Sequence, residues 1–215
     1  MKTIISPSIL SADLCNLGND IRRTKEAGAE YLHFDVMDGV FVNNISYGIP
    51  VLQAVRRNTD MIIDVHLMIT DPIRYIKEFA ESGADIITFH SEAGSDIAET
   101  VKLIHSYGKK AGIAVKPNTP VSDIYKYIAD VDMILIMTVE PGFGGQGFIY
   151  ETVDKIRELR KYADSLGKEL DIQVDGGINA ETAAIVREAG ANVIVAGSYF
   201  YKSADLSAAA SSMRG

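Results

Sequence analysis

The sequence carries a single cysteine, Cys15, in 215 residues. One thiol excludes an intramolecular disulfide and a cysteine-based zinc site, and it fits a reducing compartment. No stretch approaches the roughly 18 consecutive apolar residues of a membrane-spanning helix. The stretch "MKTIISPSIL" has a lysine and a short apolar run. Pro7, Ser8 and then Asp13 interrupt that run before a signal-peptide core could form. No Lys/Arg cluster stands out, and the formal charge is −8. Nucleic acid is therefore not the expected partner. Linkers, low-complexity tracts and charge blocks are also missing. The expectation is one domain over 1–215 in a soluble cytoplasmic protein with no membrane contact.

What is present is an ordinary globular composition, 47% hydrophobic and 23% charged, with enough chain to bury a substantial core. One internal echo recurs: "GAEYLHFD" at 28–35, "GADIITFH" at 83–90 and "GANVIVAG" at 190–197. A glycine that closes a helix followed by a β-rich run marks a helix-to-strand junction. Eight such runs are predicted, near 3–8, 30–36, 61–67, 85–90, 110–115, 131–138, 169–175 and 192–197. Helical patterns alternate with them. "TDP" (70–72) and "NTP" (118–120) read as capped helix starts. Apolar stripes follow at Ile73, Ile76, Phe79 and Ala80, and at Val121, Ile124 and Ile128. Val153, Ile156, Leu159 and Leu166 form a third stripe that ends at Gly167. The segment near 49–57 has the weakest helical pattern. Short, nearly continuous apolar strands are those covered on both faces. Eight β/α units in a chain of this size predict an α/β fold, the closed parallel (β/α)8 TIM barrel. The rival, a doubly wound open sheet, usually has fewer strands, and no G-x-G-x-x-G follows the first one.

Catalytic side chains of such barrels project from the carboxyl ends of the strands. The first strand ends at Ser8, the second with His33 and Asp35, the third with His66 and the seventh with Asp175. Residues two apart on a strand share a face, so His33 and Asp35 point together, within reach of His66 on the next strand. Two imidazoles and two carboxylates suit zinc, iron(II), manganese or cobalt better than calcium. The competing reading makes both histidines hydrogen-bonded core residues. Burying Asp35 and Asp175 as charges without a cation counts against it. Asp64 could orient His66 or belong to a structural pair inside the barrel. Asp38 reads as a loop stabiliser, His90 as a residue able to approach the site, and His105 as a surface residue.

Three glycine clusters follow strands six, seven and eight: "EPGFGGQGF" (140–148), "VDGGIN" (174–179) and "VAGSYF" (195–200). Backbone N–H groups reach an anion most easily where no Cβ intervenes. Barrels often hold phosphate after strands seven and eight. Gly176, Gly177, Gly197 and Ser198 stand where that site is expected. Gly142 to Gly145, with Phe143 among them, fit either a mobile lid or a fixed wall of the same site.

Taken together, "SPSILSAD" (6–13), "HFDVMDG" (33–39), "DVHLMI" (64–69), "MTVEPGFGGQGF" (137–148), "VDGGIN" and "VAGS" (195–198) resemble the ribulose-phosphate 3-epimerase family, in order and over essentially the whole chain. The resemblance implies a phosphate-binding (β/α)8 barrel and one divalent metal ion on His33, Asp35, His66 and Asp175. It implies Asp35 and Asp175 as the acid/base pair. Substrate contacts are implied at Ser8, His66, 142–145 (Gly142, Phe143, Gly144, Gly145), 175–177 (Asp175, Gly176, Gly177) and 197–198 (Gly197, Ser198). Met37, Met68 and Met137 are implied as methionines lining the active site. The chain departs from the family pattern in the loop after strand two, with Asn43 where proline is common and Val40 where histidine is frequent.

The implied reaction inverts C3 of a ketose phosphate, D-ribulose 5-phosphate to D-xylulose 5-phosphate, through an enediolate. A hexulose 6-phosphate is the alternative substrate. A metal-dependent ketose-phosphate decarboxylase is a second alternative, but its Asp-x-Lys-x-x-Asp pattern is missing at strand two. A non-catalytic sugar-phosphate binder would not need both carboxylates. The sequence carries no interface signature, so a homo-oligomer stays open.

Overall fold

The computed structural model describes residues 2–215. Eight parallel strands make one sheet: β1 (Ile4–Pro7), β2 (Tyr31–Met37), β3 (Ile62–Met68), β4 (Ile86–His90), β5 (Lys110–Val115), β6 (Met133–Met137), β7 (Asp171–Asp175) and β8 (Val193–Ala196). Each strand pairs with its neighbour in sequence from β2 to β8, and β8 pairs with β1. A parallel bridge between Ser8 and His33 brings β1 to β2. The sheet is thus a nearly closed barrel. Among the described residues, no helix is long and apolar enough to cross a membrane.

Eight α-helices connect or follow the strands: α1 (Leu17–Glu26), α2 (Ile49–Asn58), α3 (Ile76–Glu81), α4 (Ile97–Ser106), α5 (Thr152–Ser165), α6 (Ala180–Glu188), α7 (Ser198–Tyr201) and α8 (Leu206–Arg214). The three echo glycines, Gly28, Gly83 and Gly190, all have positive φ and stand between a helix and the next strand. The weakly patterned 49–57 segment is helical, as α2.

Two helix starts differ from expectation. The segment after "TDP" begins as a 3-10 turn, Pro72–Tyr75, before α3, and "NTP" leads into a 3-10 run, Val121–Tyr127. The side chains expected to cap them are engaged by neighbouring loops. Asp71 accepts from Ser95 Oγ at 2.7 Å, and Thr119 Oγ1 donates to Glu92. Without a cap, the first turn tightens to i→i+3 bonding. Leu166 is not part of the buried stripe of α5; it is 52% exposed at the helix end.

The barrel has two cores. Outward side chains such as Leu32, Phe34, Ile63 and Val65 pack with helix residues including Ile21, Leu52, Val55 and Phe79. Inside, Tyr31, Ile86, Met133 and Val193, from the even-numbered strands, form an apolar plug. Layers contributed by alternate strands are the packing rule of such barrels. Above the plug the interior turns polar. Asp64 Oδ2 accepts from Gln173 Nε2 at 2.5 Å and from Ser6 Oγ at 3.4 Å. Asp64 also meets His33 at 2.8 Å, which links this layer to the carboxyl end of the barrel.

Candidate active site

The strand register sets the site. His33 lies beside Asp64 and Asp35 beside His66 on β2 and β3. His33 Nδ1 sits 2.8 Å from Asp64 Oδ2, so its N–H donates there and Nε2 is left facing inward. Asp64 therefore orients His33, whereas the sequence spacing had suggested His66. The carboxylate two positions before His66 falls one layer lower in the barrel, level with the neighbouring strand's histidine.

His33 Nε2 and His66 Nδ1 each lie 3.2 Å from Asp35 Oδ1 and 3.8 Å from Asp175 Oδ2. Donor atoms from all four residues lie within 4.8 Å of one another, an arrangement that could hold a metal ion. Two observations fit that group. His33 Nε2 is fully buried and has no hydrogen-bond partner, which is costly unless something else satisfies it. Two atoms each about 2.0–2.1 Å from a tetrahedral zinc lie about 3.3 Å apart, close to the shorter separations found here. Ser8 Oγ donates to Asp35 Oδ2 at 2.5 Å, turning the other oxygen toward the histidines.

The two carboxylates are held in unlike states. Burial raises Asp175 to about 6, and the charge of Asp35 adds to that rise. Burial acts on Asp35 in the same sense. The His33 and His66 imidazoles outweigh it and hold Asp35 well below the usual carboxylate range. Burial opposes a charge on His33, but Asp35 and Asp64 together raise it well above the ordinary imidazole value. With no cation between them, protons supply the positive charge these carboxylates demand. Asp175 is the most open of the four, its side chain 19% exposed while both histidines are sealed.

A cavity of about 300 Å³ opens above this cluster. Asp35, Asp175 and Ser8 reach it, with Met37, Met68 and Met137 on its walls. Its rim brings together Gly142 to Gly145, Gly176, Gly177, Gly197 and Ser198. His33 and His66 lie beneath its floor. The glycines are there partly for packing. Gly177 has φ +66, and a Cβ there would fall 2.5 Å from the Phe148 backbone nitrogen. The loop after β6 therefore rests directly on the loop after β7. Asn44 Nδ2 also donates to Gly142 O at 2.7 Å, tying the loop after β2 to that rim.

Other residues stand where expected. Asp38 accepts from the Val40, Phe41 and Thr70 amides and holds its loop. His105 is on α4 at the surface, 2.9 Å from Asp132. Val40 and Asn43 are exposed. The sequence reading missed Ser11, Asn179 and Tyr199 on the cavity wall. Ser11 Oγ lies 3.5 Å from Ser198 Oγ. Each of these follows a strand's carboxyl end by only a few residues, and that position was the available signal.

Comparison with known proteins decides the family. A profile of the ribulose-phosphate 3 epimerase family matches residues 4–201. The chain belongs to the ribulose-phosphate 3-epimerase family. It is 50% identical over 212 residues to the ribulose-phosphate 3-epimerase of Bacillus subtilis (strain 168), covering 98% of each chain. It is 47% identical over 205 residues to the chloroplastic ribulose-5-phosphate-3-epimerase of Arabidopsis thaliana, covering 94% of this chain and 73% of that one. Among solved structures, KGPDC from Streptococcus mutans superposes with a TM-score of 0.73 at 12% identity, over 99% of this chain and 96% of that one. That likeness concerns the fold alone. The family's members are epimerases, and the chain is an isomerase.

Proposed function

We propose that the chain, as one domain over 1–215, interconverts D-ribulose 5-phosphate and D-xylulose 5-phosphate by inverting C3. The observation that carries this reading is the pair Asp35 and Asp175. They approach one cavity from two sides of the barrel, Asp35 held well below the usual carboxylate range and Asp175 raised to about 6. The names and the close identity of the relatives support the choice of substrate.

A C3 hydrogen next to a C2 carbonyl is acidic because its carbanion delocalises into that carbonyl. Inversion needs the proton removed from one face of the resulting planar enediolate and a proton returned from the other. In one direction Asp35, ionised, takes the C3 proton, and Asp175, protonated, delivers its own to the opposite face. The roles exchange in the reverse direction, so the pair titrates as a unit. His33, Asp35, His66 and Asp175 would hold a divalent ion, and an ion there supplies positive charge against the enediolate oxygens. Ser8 fixes Asp35 through a 2.5 Å hydrogen bond. The rim amides at 142–145, 176–177 and 197–198 take the phosphate at the far end of the sugar. Met37, Met68 and Met137 keep the reacting carbons in apolar surroundings. There a charge–dipole interaction is stronger than in water.

The test is a C3 epimerisation assay on D-ribulose 5-phosphate and on a hexulose 6-phosphate. It is run after chelation and again with zinc, iron(II), manganese or cobalt restored one at a time. The expected result is activity on the pentulose that is lost on chelation and regained with a single metal. Full activity in the stripped protein, or a clear preference for the hexulose, would overturn this assignment.

A further inference from the structure

Behind the candidate metal cluster lies a second set of buried polar groups that the reaction does not use. His66 Nε2 points away from the cluster and meets His90 Nε2 at 2.9 Å. The other side of His90 meets Glu92, with Nδ1 3.3 Å from Oε2. Glu92 also accepts from the Lys116 amide at 2.8 Å and from the Thr119 hydroxyl. Both imidazoles are buried, at 0% and 1% exposure. Phe41 covers His90 with ring centroids 4.9 Å apart, and Lys116 Nζ lies 4.1 Å from the Phe41 ring centroid.

Two ring nitrogens 2.9 Å apart in a dry site share one proton, and the question is which ring carries it. Glu92 decides. A carboxylate that already accepts an N–H and an O–H has only acceptor character to offer. His90 must therefore present Nδ1–H to it. His90 is sealed at 1% exposure, and as a neutral ring with its proton on Nδ1 it has a lone pair on Nε2. That lone pair can be satisfied only by His66 Nε2–H. With an ion in the cluster, His66 would then have its Nδ1 lone pair free for it, on the side that faces Asp35 and Asp175. On the other side, His33 is fixed in the corresponding way by Asp64. The two histidines use opposite ring nitrogens, so each needs its own outer partner.

We propose that Glu92 and His90 are positioning residues that set the tautomer of His66 and so prepare it to bind the metal ion. The chain runs Glu92, His90, His66, and its direction is imposed from the Glu92 end. Four elements contribute: β4 carries His90, the turn after it carries Glu92, and the loop after β5 carries Lys116 and Thr119. β3 carries His66. The loop after β5 thereby bears on a site that none of its own side chains reaches. This inference rests on the metal-site reading above.

The experiment measures cobalt(II) and zinc affinity by chelator competition, with the visible spectrum of the cobalt form recorded alongside. It uses the full chain as wild type, His90→Phe, His90→Gln and Glu92→Gln. His90→Phe keeps an aromatic body but offers the His66 N–H no acceptor. It should weaken metal binding about 10–100-fold, the usual size of an outer-partner effect. His90→Gln restores an acceptor oxygen and should recover most of that loss, and Glu92→Gln should fall between. Circular dichroism of each metal-free variant shows whether it folds. If a variant does not fold, nitrogen-15 spectra of the zinc-loaded wild type decide instead, with His90 expected to carry its proton on Nδ1. Wild-type affinity in both His90→Phe and Glu92→Gln, or a His90 proton on Nε2, would overturn the proposal while leaving the metal site standing. A wild-type protein that binds neither metal would remove the metal reading itself, and this inference with it.

Discussion

Two sets of strands wall the barrel interior and differ in almost every inward side chain. The wall from β2, β3 and β7 presents His33, Asp35, Asp64, His66, Gln173 and Asp175. The wall from β5 and β6 presents Gly112, Ala114, Leu135 and Met137, and the last three pack with Val139 as a separate apolar cluster. Both walls have the same parallel ladder and the same helical cover outside. The difference shows how one scaffold divides its work. The polar wall is cross-linked from within, His33 and Gln173 both bonding to Asp64. The apolar wall offers nothing that could compete for those atoms, and it keeps the surroundings poor in water. Burial raises both Asp35 and Asp175, and the His33 and His66 imidazoles, which outweigh it at Asp35, set the two carboxylates apart in proton affinity.

The sharpest way to break the comparison is to remove one charge from the polar wall. Asp35→Asn or Asp175→Asn is expected to lower kcat for C3 inversion by about 10²–10⁴-fold, the usual contribution of a positioned acid or base. KM should change much less, as steady-state kinetics on both epimers would show. A comparable kcat loss on replacing Met137 by Leu would mean that the walls are not functionally distinct.

Proton competition gives the next largest effect. Asp175 is raised to about 6 and His33 is raised above its ordinary value in the metal-free chain. An incoming ion competes with both protons. Below about 6 Asp175 keeps its proton and opposes binding. As the pH climbs through 6 that opposition is lost, and affinity continues to rise while His33 gives up its own proton. Chelator competition between pH 5 and 8 should show affinity increasing throughout this range. A flat profile would contradict the charge state assigned to the polar wall.

The smallest effect is structural and belongs to the apolar wall. A Cβ on Gly112 would press on Thr88, with 3.1 Å to the Thr88 Cβ. Gly112→Ala should cost about 1–3 kcal/mol by overpacking, read as a lower Tm, with the metal affinity of the folded protein preserved. A matching loss of metal affinity would show that the two walls are mechanically coupled.

Much of this molecule was legible in the sequence because its signals were local. Gly-Ala before a β-rich run located three helix-to-strand junctions, and eight apolar runs gave eight strands in register with the barrel. The cluster His33, Asp35, His66 and Asp175 could be read because all four were expected toward the carboxyl ends of strands, which share one rim, although only Asp175 ends its strand and β2 and β3 run on to Met37 and Met68. What could not be read was set by neighbours distant in sequence. The partner of Asp64 depends on how β2 slides against β3, and no spacing along one strand fixes that stagger. The caps at Asp71 and Thr119 were lost to Ser95 and Glu92, residues on adjacent loops. His90 could be placed near the site, but its link from His66 to Glu92 needed the side chains themselves.

The most direct measurement is deuterium wash-in at C3 from heavy water, followed separately for each epimer, in metal-loaded Asp35→Asn and Asp175→Asn. With one carboxylate on each face, each variant should exchange the C3 hydrogen of only one epimer, a different one in each case, while interconversion is lost. Both variants exchanging both epimers at the wild-type rate would contradict the two-sided transfer on which this account rests.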